Sequence, residues 1–116
     1  MRREVKAVLH DALKAGDDIE RYTTGLEYED YNDDDQLQAA VERKFEIIGE
    51  ALNRALRFDP TALDVVTEHD RIIGFRNVIS HGYDVVDNRL IWDAVRNHLP
   101  RLRQEPQQLT NGPSKN

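Results

Sequence analysis

The chain has no cysteine, which excludes a disulfide framework and any thiolate metal site. Its four histidines, His10, His69, His81 and His98, miss the spacing of roughly three to five residues by which paired histidines hold zinc. Neither a metal nor a cofactor is expected. No continuous apolar run approaches the roughly 20 residues of a membrane span, so no membrane is expected either. The opening MRREVKAVLHDALKAGDD is charged throughout and lacks the apolar stretch and small-residue cleavage site of a signal peptide, so a cytoplasmic location is expected. No segment alternates like a strand and no internal repeat is present. What remains is a chain of 116 residues, 39% hydrophobic and 33% charged, the composition and length of a single all-α domain.

The net charge of -6 argues at first against nucleic acid, because phosphate binding depends on Lys and Arg. The charge is unevenly spread. Between Asp17 and Asp35 nine acidic residues stand against Arg21 alone. From Arg71 to Arg103 six arginines outnumber Asp84, Asp87 and Asp93. On this pattern one half could meet a polyanion while the other repels it. The acidic stretch has two readings, a solvated connector or a docking surface for a protein partner, with Tyr22, Tyr28 and Tyr31 as candidate anchors.

Val5, Val8, Leu9, Ala12, Leu13 and Ile19 recur at three- and four-residue steps, which predicts a helix from about Arg3 to Tyr22. LEYEDYNDDD is acidic and poorly periodic, and is expected to form one helical turn at most. Leu37, Val41, Phe45, Ile48, Leu52 and Leu56 define the strongest helix, capped by Asp34 or Asp35 and ended near Phe58-Asp59-Pro60-Thr61. Gly49 inside it suggests a close approach by another backbone. A further helix is expected from between Asp64 and Glu68 to about Ser80, with Gly82 closing it. Asp87 can cap a last one with Leu90, Ile91, Ala94, Val95, His98 and Leu102 inward and a kink at Pro100. The domain is therefore 1–103, and the polar tail 104–116 is expected to be disordered.

RNVISHGYDVVD, residues 76 to 87, gathers a fixed cation, an amide, an imidazole and a phenol beside Val78 and Ile79. Packing alone offers one account. Arg76 lies at the edge of the Ile72, Phe75 and Ile79 face and reaches a carboxylate such as Glu50 or Glu46, while His81 sits at a helix end and Tyr83 packs with its hydroxyl in water. Chemistry offers another. Histidine exchanges a proton near neutral pH, an arginine fork stabilises phosphoryl charge, and Asn77 orients substrate or imidazole. That is the equipment for attack by a ribose 2′-hydroxyl on its own phosphodiester, which requires no metal. On an ideal helix Arg76 and His81 diverge by about 140°. They converge only if the helix ends before His81 or if two chains pool their residues in a symmetric dimer.

The spacing R-NVIS-H-G-Y resembles the motif of the HEPN superfamily, and specifically of its HepT-like toxins. AVERKFEIIGEAL (residues 40 to 52) is similar to that family's "IGEA" helix, and IWDAVRNHLPRL (residues 91 to 102) to its closing helix with a late proline. The likeness covers roughly residues 3 to 103. One departure is that Glu68-His69-Asp70 stands where many relatives carry a tryptophan. The resemblance implies an up-and-down bundle of four to five helices, dimeric, acting as a metal-independent endoribonuclease toxin on RNA. It also implies a partner, a minimal nucleotidyltransferase antitoxin of a type VII-like toxin–antitoxin pair. Carried over by position, Arg76 stabilises the phosphate, His81 is the acid or base, Asn77 assists, and Tyr83 receives AMP. His69 and His98 are expected to be surface or core-edge histidines. The alternative is a noncatalytic helical subunit that lends a binding surface to a nucleotidyltransferase.

Overall fold

The three- and four-residue steps of Val5, Val8, Leu9, Ala12 and Ile19 do what amphipathic spacing requires. All five are buried along one side of α1, Arg3–Thr23. This computed structural model describes residues 3–61 and 87–100. The α1 helix ends on two threonines whose hydroxyls donate back to carbonyls one turn earlier, Thr23 to Ile19 at 2.8 Å and Thr24 to Glu20 at 2.6 Å. Gly25 follows at φ +80, the left-handed conformation that closes helices and that glycine adopts without strain.

The acidic connector folds into α2, Tyr28–Asn32, slightly more than the single turn its weak periodicity suggested. Two local facts explain the gain. The Glu27 backbone N–H donates to Asp30 Oδ2 at 2.8 Å, which satisfies an otherwise orphaned donor at the helix start. Tyr31 is fully buried, and burying a side chain of that size contributes about 1.5–3 kcal/mol.

Asp34 is the N-cap of α3, Asp35–Phe58, and accepts from the Leu37 N–H at 3.0 Å. Val41, Phe45, Ile48 and Leu52 are buried, with Leu37 and Leu56 half-buried at its ends. Gly49 is also buried. Of the described helices, α1 and α3 make the most extensive contact. Their boundary holds a partly buried ion pair, Lys44 Nζ to Asp18 Oδ2 at 2.8 Å, with Arg21 3.1 Å from the other carboxylate oxygen.

The predicted helix ending near Ser80 lies outside the described residues. The chain is described again at Asp87, whose carboxylate accepts from the Arg89 and Leu90 N–H groups and caps α4, Asn88–Asp93. Two expectations for this end need correction. Leu90, expected inward, is exposed, whereas Trp92 and Leu99 are buried with Ile91, Ala94 and Val95. Ile91, Val95 and Leu99 form a four-residue stripe with Trp92 on one side, and Leu90 falls about 100° away from Ile91 on the other side, off that stripe. The distortion expected at Pro100 appears one turn earlier, as a π-helical stretch Ala94–His98 in which the Leu99 N–H donates to the Ala94 carbonyl. A proline ring collides with the carbonyl four residues before it, here that of Arg96, and a widened turn at that place is one way to accommodate it.

Every regular element among the described residues is helical, and none of these helices is long and apolar enough to cross a membrane. The α2 helix packs on both α3 and α4, so the acidic segment bridges the middle of the chain to the helix that follows the R-NVIS-H-G-Y motif.

Candidate active site

Arg76, Asn77, His81 and Tyr83 lie outside the described residues, as do the convergence of Arg76 with His81 and any pairing of Arg76. Of the two carboxylates considered for Arg76, Glu46 is half-buried with Arg43 Nη1 at 3.7 Å, and Glu50 is exposed. What is described is where the chain goes next. Asp87 follows Tyr83 by four residues, so a segment of at most about 14 Å joins the motif tyrosine to the start of α4.

That start is tied to α2 by side chains. Asn88 Nδ2 donates to Asn32 Oδ1 at 3.0 Å, and the Tyr28 hydroxyl donates to the same oxygen at 3.3 Å. The Arg89 guanidinium lies 3.8 Å from the centroid of the Tyr28 ring, within the range of a cation–π contact. Two turns on, Arg96 Nη2 donates to the Leu26 carbonyl at 2.6 Å while its guanidinium sits 4.9 Å from the Trp92 ring. Asn32 is held in turn from α3, because Gln38 Nε2 donates to the Asn32 and Tyr31 carbonyls at 3.1 and 3.0 Å.

The acidic segment and the described part of the basic segment touch, and Arg89 and Arg96 lean on Tyr28, Trp92 and Leu26. Sequence order had set them far apart. The candidate docking anchors change as well. Tyr31 is a core residue, sealed from solvent and stacked on Trp92, and is no surface anchor. Tyr22 and Tyr28 are half-buried against the core. No sequence signal marked Asn32 or Asn88. They are two short amides 56 positions apart, and only the folded chain brings them together.

Three described groups titrate away from their usual values. The hydrogen bond from Lys44 holds the Asp18 carboxyl below the usual range despite burial, which pushes the other way. Burial raises the Tyr31 phenol strongly, with the Glu42 charge adding to it. Burial also raises Glu42, with Glu46 as a second cause. His98 sits at the core edge, its side chain 16% exposed, with Nε2 3.3 Å from Asp93 Oδ2. His69 lies outside the described residues. Among the described residues no group of three or more His, Asp or Glu side chains is placed to hold a metal ion.

The described elements define a helical domain, and its sequence carries one cluster of chemistry-bearing residues between α3 and α4. The chain belongs to the HepT-like ribonuclease family, which it matches over residues 12–109 under the description "Ribonuclease HepT-like". That span includes Arg76, Asn77, His81 and Tyr83. A Methanocaldococcus jannaschii protein named "Putative RNase MJ1380" is 31% identical over 104 residues, covering 90% of this chain and 94% of the relative. A Thermococcus cleftensis protein named "Probable ribonuclease HepT" is 33% identical over 103 residues, covering 89% and 93%. No solved structure matches the chain.

Proposed function

We propose that this protein is a metal-independent endoribonuclease, the toxin of a toxin–antitoxin pair, working as a homodimer with Arg76, Asn77 and His81 as its centre. The observation that carries the proposal is family membership across residues 12–109, with R-NVIS-H-G-Y complete inside that span. His81 takes the proton from a ribose 2′-hydroxyl as that oxygen attacks the adjacent phosphorus. The P–O5′ bond breaks, and the imidazolium formed in that step gives its proton to the leaving 5′-oxygen. The products are a 2′,3′-cyclic phosphate and a 5′-hydroxyl. Arg76 stabilises the negative charge that builds on the phosphoryl oxygens, and Asn77 orients the imidazole or the phosphate.

The antitoxin in this scheme is a minimal nucleotidyltransferase. Tyr83 Oη attacks the α-phosphorus of ATP, loses its proton, and displaces pyrophosphate. The AMP group adds a bulky anion beside the cleft and repels RNA phosphate. The deciding experiment incubates the purified protein with RNA in excess EDTA and analyses the ends. Cleavage that leaves cyclic phosphate supports the mechanism. Intact RNA, or cleavage that EDTA abolishes, overturns it.

A further inference from the structure

Two arginines that begin and follow α4 are held over aromatic rings. The Arg89 guanidinium lies 3.8 Å from the centroid of Tyr28, and that of Arg96 lies 4.9 Å from the centroid of Trp92. Both rings are anchored, because Trp92 is buried and Tyr28 is half-buried against the core with its hydroxyl donating to Asn32. Arg96 gives one N–H to the Leu26 carbonyl at 2.6 Å. Arg89 is exposed, and among the described residues no carbonyl or carboxylate accepts from its guanidinium. The neighbouring carboxylates have other work. Asp87 accepts from the backbone N–H groups of Arg89 and Leu90, and Asp93 accepts from Asn97 at 2.6 Å and lies 3.3 Å from His98. Seven residues of helix are about two turns, so Arg89 and Arg96 share one side, about 10 Å apart along the axis.

We propose that Arg89, held on Tyr28, is a phosphate contact for single-stranded RNA, with Arg96 continuing the same ridge. The inference rests on the ribonuclease reading above for the class of ligand. It concerns binding alone, so it requires nothing of where the 76–83 stretch lies. A ring face holds a guanidinium without using its N–H donors, and those donors form a fixed fork that matches two oxygens of one phosphate. Arg21, which already pairs with Asp18 at 3.1 Å, has no such fork to offer. The exposed carboxylates Glu27, Glu29 and Asp30 flank Tyr28 on α2 and repel a polyanion, but salt screens that repulsion whereas a phosphate in contact with the fork is bound directly. They confine the strand to the arginine ridge.

The probe is a single-stranded 2′-O-methyl oligonucleotide, which carries the phosphates of RNA but no 2′-hydroxyl to attack, titrated with the full chain over a range of salt. Arg89→Ala should bind about tenfold more weakly, as the loss of charge-assisted hydrogen bonds predicts. The slope of log K against log salt should shrink by about 0.7, the share of one single-strand phosphate. Arg89→Lys keeps the charge and loses the fork, so it should keep the slope and bind about threefold more weakly. Tyr28→Phe keeps the ring and should bind as wild type, whereas Tyr28→Leu removes it and should bind about threefold more weakly. Glu29→Gln should bind more tightly. Arg54→Ala removes an exposed arginine of α3 that no ring holds among the described residues, and should change affinity by less than about twofold. An Arg89→Ala chain that binds as well as Arg54→Ala, or a Tyr28→Leu chain that binds as well as Tyr28→Phe, overturns the contact and leaves the ribonuclease assignment standing. The full expected pattern in a chain that leaves natural RNA uncut upholds the contact and overturns the ribonuclease assignment alone. A wild-type chain that neither binds the oligonucleotide nor cleaves RNA overturns both.

Discussion

The rings of Tyr31 and Trp92 lie 5.4 Å apart, centre to centre, at 32° to one another, and join the acidic α2 to the helix that follows the motif. Tyr31 is fully buried, and its hydroxyl has no hydrogen-bond partner among the described residues. Its ring is therefore useful to the fold and its hydroxyl is a cost, because a buried polar group without a partner forfeits its hydration. Tyr31→Phe should be at least as stable as wild type in urea unfolding. Tyr31→Ala should lose about 3–5 kcal/mol, as large aromatic truncations in a core do. A marked destabilisation in Tyr31→Phe would show that the hydroxyl has a partner.

Tyr31 also shows where the sequence stops being informative. The helices α1 and α3 were legible to within a residue or two, since their apolar steps are long and regular and Asp34 caps α3, and Asp87 likewise marked the start of α4. Two tyrosines in a short acidic stretch do not say which of them turns inward, so Tyr31 read as surface although it is core. The inward face of α4 was misjudged for a similar reason. Leu90 and Trp92 are both apolar, and only packing against α2 selects Trp92. The motif itself was found by its spacing and by family likeness, while the Asn32–Asn88 contact links residues 56 apart and leaves no local trace.

The Asp18–Lys44 pair predicts a specific pH dependence. Lys44 holds the folded-state carboxyl of Asp18 below its usual value, so the pair's stabilisation is present above the unfolded value of about 3.9 and fades as pH falls through the lower folded value. Asp18→Asn should be less stable than wild type at pH 6, and the gap should narrow below about pH 4. Lys44→Met should cost about 1–3 kcal/mol at pH 6 by leaving a mostly buried carboxylate to the exposed Arg21. A wild-type to Asp18→Asn gap that is the same at pH 6 and pH 3 would rule out this linkage.

His81→Ala should remove RNA cleavage while the helical circular dichroism and melting temperature stay close to wild type. Arg76→Ala should also abolish cleavage, through lost stabilisation of phosphoryl charge, a contribution of order a hundredfold or more in rate. Full activity in His81→Ala would exclude the imidazole as acid or base and return the motif to a packing role.

Because Arg76 and His81 diverge by about 140° on an ideal helix, the composite centre calls for two chains. Sedimentation at micromolar concentration should give twice the chain mass. Mixing Arg76→Ala with His81→Ala should restore part of the activity, since a mixed dimer keeps one intact arginine and one intact histidine. A monomer that cleaves RNA at full rate contradicts the composite centre.

Tyr83 is the switch in this scheme and has no part in the chemistry of cleavage. A phenol with an ordinary pKa of about 10 is a poor proton-transfer group at neutral pH beside an imidazole near 6.5, so cleavage gives it no task that His81 does not perform better. Tyr83→Phe should therefore cleave RNA as wild type does. It should escape inhibition when nucleotidyltransferase and ATP are added, because the nucleophilic oxygen is gone. Intact mass should show added AMP on the wild-type chain and none on Tyr83→Phe. Inactivity of Tyr83→Phe with normal folding would place the tyrosine in the catalytic centre. AMP found on another residue of the wild-type chain would remove Tyr83 from the role of acceptor.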